Sequence, residues 1–131
     1  MKQVIEKLKA VISVLEKEHE RLLIFALFLR EEPFEKWDIV VSSAWLNSKE
    51  LGSYKLVTSK VQEVLSESEL AQFSRIVLLD PEDPVVSFLL ELETIKNGGY
   101  KELPGDVLSD KFGFTIKRAY LLRSQRNDEH P

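Results

Sequence analysis

The chain has no cysteine. It therefore carries no disulfide framework, no thiolate metal site and no cysteine nucleophile, and its composition fits a reducing compartment. Histidine is almost as scarce, with only His19 and His130 in 131 residues. Clustered imidazoles for zinc or another borderline metal are thus excluded, and no metal ligand set is assigned. A Ser-His-acid triad would have to take its base from His19, and no Gly-x-Ser-x-Gly elbow accompanies it. The five glycines, Gly52, Gly98, Gly99, Gly105 and Gly113, form neither the dinucleotide fingerprint nor a phosphate-binding P-loop. No nucleotide cofactor is implied by those devices. A nuclease of the restriction-endonuclease type would need an acid followed by Asp/Glu-x-Lys on a strand. Asp38 offers the first acid, but Glu93 and Lys96 have the wrong spacing and fall on a helical pattern.

Long apolar runs are also missing. The longest, Leu22 to Leu29, is too short to span a bilayer. The first residues, Met1-Lys2-Gln3, lead into a segment broken by Glu6, Lys7 and Lys9, which lacks the apolar core of a signal peptide. The expectation is a cytoplasmic protein with no membrane partner. The formal charge of −4 disfavours nucleic acid and anionic lipid as partners. What the chain does have is 44% apolar and 31% charged residues, close to the globular average. A length of 131 residues fits one domain with one core.

Val4, Ile5, Leu8, Val11, Ile12 and Leu15 recur at helical spacing and predict an amphipathic helix. The ladder continues through His19, Leu22, Ala26 and Leu29, so a long dimerising helix is an alternative. A break near His19-Glu20 is preferred, because Leu22–Leu29 is apolar on every side and ends in the charged turn Arg30-Glu31-Glu32-Pro33. It reads as a strand, forming a hairpin with Trp37–Ser42. Asn47 with Glu50 has capping-box spacing, and Leu51, Tyr54, Val57, Val61 and Leu65 form the face of a second helix. Ser66 with Glu69 repeats that spacing before Arg75–Leu79, which reads as a buried strand. Val85, Phe88, Leu89, Leu92 and Ile95 predict a third helix stopped by Asn97-Gly98-Gly99. After a loop with Pro104-Gly105, the alternation of Phe112, Phe114, Ile116, Tyr120 and Leu122 predicts a last strand. The reading is a single mixed α/β domain over residues 1–123, in the order α-β-β-α-β-α-β. A polar tail over 124–131 follows.

Three strings, Phe25–Glu31, Trp37–Leu46 and Arg75–Asp80, resemble similar blocks, in this order, in a set of short prokaryotic proteins. The resemblance supports the element boundaries. It implies no activity and supplies no catalytic residue.

Three features carry functional expectations. If Trp37–Ser42 and Arg75–Leu79 are parallel strands joined by the second helix, their C-terminal ends share one side of the sheet. Ser42, Ser43, Trp45, Asp80 and Asp83 would then gather at the edge where open α/β sheets bind ligands. The plainer reading makes Asp80 a helix cap and Trp45 a roof over the core. Second, Lys111, Lys117, Arg118, Arg123 and Arg126 form a basic stretch, read either as a contact for an anion or as protection of an edge strand. Third, His19 breaks the apolar ladder. It reads as a helix terminus partnered by a nearby carboxylate or carbonyl. With no complete catalytic constellation, the leading expectation is a non-enzymatic interaction module that self-associates as a homo-oligomer or engages another protein. The alternative is a small Mg²⁺- or Mn²⁺-dependent hydrolase or nuclease acting on a phosphate ester, with Asp80 and Asp83 as ligands.

Overall fold

The computed structural model describes residues 1–31, 35–96, 98–113 and 115–126. Helix α1 (Lys2–Glu18) leads into a hairpin of β1 (Ile24–Arg30) and β2 (Lys36–Ser42). Then come α2 (Leu51–Val64), the single turn α3 (Glu67–Leu70), β3 (Phe73–Leu78), α4 (Pro84–Leu92), β4 (Lys101–Pro104), α5 (Gly105–Phe112) and β5 (Ile116–Ser124). The strands form one sheet in the order β3-β2-β1-β5-β4. The β2–β3 pair is parallel and the other pairings are antiparallel. This is the mixed α/β architecture and element order that the pattern predicts. Two elements, β4 and α5, are added inside the stretch that reads as a loop.

The physical reason for the apolar run at Leu22–Leu29 is its position. β1 lies in the middle of the sheet, so both of its faces are covered. Phe25, Leu27 and Leu29 join the core beneath α1 and α2, while Ile24, Ala26 and Phe28 join the core beneath α4 and α5. A strand in that place has no polar side. The chain leaves helix α1 at His19, whose N–H bonds to Leu15 O, and the long dimerising helix is not formed. Val4, Ile5, Leu8, Val11, Ile12 and Leu15 of α1 are buried within the chain's own core, whereas Val14 is exposed.

Several local readings are corrected by tertiary contacts. Asn47 and Glu50 do not box the start of α2; Asn47 Oδ1 accepts from Lys49 N–H and its Nδ2 donates to Glu50, which makes a turn ahead of the helix. Leu51, placed on the core face, is 67% exposed. Ser66 and Glu69, with the same spacing, do form both arms of a capping box around α3. α4 ends at Leu92 rather than at the glycines, because Ile95 exchanges two backbone hydrogen bonds with Ser124 and is drawn out of helical geometry. Asn97, read as part of the stop, lies outside the described residues.

β3 is an edge strand with exposed positions, not a buried one. β5 starts at Ile116; Phe112 closes α5, and Phe114 lies outside the described residues. Its simple alternation also fails. A register irregularity against Arg30 puts Ile116 in the core beneath α4 and α5, whereas Tyr120 and Leu122 face α1 and α2. Ser124 and Gln125, assigned to the tail, are buried, and Gln125 N–H bonds to Leu23 O. The unforeseen turn into α5 depends on Gly105. A Cβ there would stand 1.9 Å from Ile116 O and 2.6 Å from the Lys117 carbonyl carbon.

Glu69 also ties α3 to α1, accepting from Lys7 Nζ at 2.7 Å. That ammonium, followed by the Ser66 backbone N–H, holds the Glu69 carboxyl below its ordinary value. A carboxyl lowered in the folded state contributes stability above its unfolded pKa, and the contribution disappears as pH falls through the folded pKa. Glu69→Gln preserves a cap for Ser66 but removes the charge. Urea midpoints should therefore be lower for the variant at neutral pH and converge with the parent in acid. A gap of equal size at both ends of the range would show that the charge is not the cause.

Candidate functional site

At the C-terminal ends of the parallel strands β2 and β3 lies an open depression of about 640 Å³, with Trp45, Asn47, Lys49, Asp80 and Glu82 among its lining. Only Trp45 and Asp80 of the five sequence-predicted site residues meet there. Ser42 and Ser43 are fully buried. The Ser43 hydroxyl accepts from Leu46 N–H, holding the turn after β2, and the Ser42 hydroxyl has no hydrogen-bond partner among the described residues. Asp83 is the N-cap of α4, accepting from Val85 N–H with Pro84 in the following position. The Asp80 carboxylate accepts from the Ser48 hydroxyl at 2.9 Å. Among the described residues, no group of three His, Cys, Asp or Glu side chains is arranged to hold a metal ion.

Trp45 has a partner far along the chain. Its ring lies 4.2 Å from that of His19 at an interplanar angle of 13°, and its Nε1 donates to Glu20 O. His19 is thus clasped by an indole rather than by a neighbouring carboxylate. The pair pins the end of α1 to the turn after β2, so one face of Trp45 is already used.

A second arrangement sits along β3. Leu79 N–H bonds to Val41 O on β2, and Val41 stands opposite Leu78. Backbone groups alternate along a strand, so Val77 and Leu79 point inward and Ile76 and Leu78 present their N–H and C=O away from the sheet. Nothing pairs with that side among the described residues. Beside it, between α2 and β3, is a gap of about 320 Å³ floored by Ile39, Val61, Leu70, Phe73 and Ile76, rimmed by Thr58 and Gln62 and bordered by Ser74 and Arg75. The rim continues onto the outer surface of α2 with Leu51 and Tyr54.

Around the start of β3 two arginines share one carboxylate. Asp38 is 1% exposed and stands opposite Arg75 in the ladder. Its Oδ2 lies 3.2 Å from Arg75 Nε, and its Oδ1 accepts from Arg30 Nη2, which also donates to Ser74 Oγ. The Arg75 side chain is 51% exposed. Sequence reasoning treated Asp38 only as a nuclease acid and passed over Arg30 and Arg75. The hairpin register held the signal, since Phe28 pairs with Asp38 and Arg30 follows on the same face.

The basic stretch is mostly neutralised. Lys117 bonds to Glu35 and Arg118 to Glu102, and these carboxylates raise both cations above their ordinary values. Arg123 is buried against Glu16. β5 lies between β1 and β4, so edge protection is not the role of these charges. No protein-family model matches the chain, and no curated protein or solved structure matches it either. The site is therefore described by its own residues. No helix among the described residues is long and apolar enough to cross a membrane.

Proposed function

We propose that this chain is a non-enzymatic interaction module that receives an extended segment of another polypeptide as an added strand on β3. The single observation behind this reading is the contrast between the two sheet edges. β4 is four residues long, carries Lys101 and Glu102 and ends in Pro104, all features that blunt an edge. β3 is longer, has no proline, and turns the free backbone groups of Ile76 and Leu78 outward beside an apolar gap. Strand addition uses this combination, with main-chain hydrogen bonds giving affinity and a neighbouring pocket taking side chains.

A homo-oligomer is the less favoured occupant. The ladder that would have built a dimerising helix is interrupted at His19, and its α1 residues Val4, Ile5, Leu8, Val11, Ile12 and Leu15 are buried inside the chain. Two copies joined edge to edge would also bring two Arg75 side chains onto one short ladder, where like charges oppose pairing. The metal-dependent hydrolase has no specific observation in its favour, since Asp80 is engaged by Ser48 and Asp83 caps α4.

The test is a random linear peptide library panned against the immobilised protein, with Ile76→Pro as the counter-screen. Proline at an outward-facing edge position removes a donor without breaking the ladder to β2. Selected peptides should lose at least about tenfold in affinity for the variant. Binders indifferent to it would remove the edge from the function. Light scattering at tens of micromolar should report a monomer; a dimer that Ile76→Pro dissociates would hand the edge to a second copy.

A further inference from the structure

We infer that the segment selected by β3 alternates apolar and acidic side chains, with one carboxylate seated on Arg75. This rests on the strand-addition reading above and specifies its partner. A strand added to an edge sends successive side chains to opposite faces of the sheet. On β3 those faces differ in kind.

On the face beneath α2, Phe73 and Ile76 belong to the core shared with Ile39 and Val61, and the gap between them and α2 is open. The floor of that gap suits an apolar side chain. Arg75 borders that gap but turns its side chain to Asp38 on the opposite face. Its Nε is tied to Asp38 Oδ2, and no described group takes its terminal nitrogens. The Arg75 side chain remains half-exposed beside this carboxylate. Holding Nε fixes the plane of the fork and leaves its outer donors to meet a carboxylate, the geometry that arginine favours. Lys36, exposed at the start of β2, adds to the positive charge at this end of the sheet.

The experiment is an amide NMR titration of the full chain with three blocked pentapeptides, Thr-Val-Glu-Val-Thr and its counterparts with Gln or Lys at the centre. The glutamate peptide should bind saturably, move the Ile76 and Leu78 amides, and exceed the lysine peptide in affinity by about tenfold. Half-molar salt should erase most of that preference. Arg75→Gln should bring the glutamate and glutamine peptides to equal affinity, and Arg75→Glu should invert the order. Because the comparison of peptides on the parent protein is complete without either variant, a folding defect in a variant does not affect the result. Equal binding of all three peptides would overturn the acidic preference and leave strand addition intact. Absence of any shift at Ile76 and Leu78 would overturn both.

Discussion

Arg123→Ala should lower the free energy of unfolding by about 3–5 kcal/mol, the cost of breaking a buried ion pair from one side. The Arg123 side chain is 4% exposed and that of Glu16 13%. Arg123 Nε donates to Glu16 Oε2 at 2.9 Å, Nη2 donates to Oε1, and Leu22 N–H also donates to Oε2. One carboxylate thus joins α1, the lead into β1 and the far end of β5. Its contact with Arg123 depends on a bulge. Ala119 and Leu121 face α4 and α5 while Tyr120 and Leu122 face α1, so strict alternation would turn Arg123 away from Glu16. The register shift opposite Phe25 and Ala26 inserts one residue and turns it back. Removing both partners in a Glu16→Leu, Arg123→Met pair should cost less than Arg123→Ala alone, because no charge is left stranded. Urea unfolding measures all of these. A loss for Arg123→Ala of under about 1 kcal/mol would place the pair in the class of solvated surface bridges.

Phe28→Ala should be as damaging, at about 3–5 kcal/mol, for a different reason. Phe28 is 1% exposed on the central strand, and the ring of Phe112 meets it edge-on at 4.8 Å. Truncation leaves a cavity beneath α5, a helix of only eight residues whose burial rests on Gly105 and Leu108. Amide exchange in α5 should rise along with the fall in global stability. Leu51→Ala is the matched control: at 67% exposure it should change stability by less than about 0.5 kcal/mol. Equal losses at the two positions would contradict the burial pattern.

The proposed partner surface was the least readable part of the chain. Ser42, Ser43 and Asp83 were singled out by their position after strands and before a helix, yet the structure uses them inside the core, in a turn and as a cap. Nothing local distinguishes a hydroxyl or carboxylate held for structure from one offered to a ligand. Arg75 was missed because its meaning depends on Asp38, which is 37 residues away.

Periodicity by itself determined α1, β1, β2, α2, β3, α4 and β5 and their order, though not β4 and α5, since each of the former needs only neighbours within a few residues to show which side faces inward. It also identified Leu22–Leu29 as a strand buried on both faces, and the Ser66–Glu69 box. Tertiary structure decided which strand lies at the edge and where α4 stops. It also set the direction of each side chain on β5 and created the meeting of His19 with Trp45. These are pairings between distant segments, and a pairing has energy only once both partners are in place. The absence of cysteine and clustered histidine set limits on chemistry from the outset; the free backbone of Ile76 and Leu78 became visible only when the order of the sheet was known.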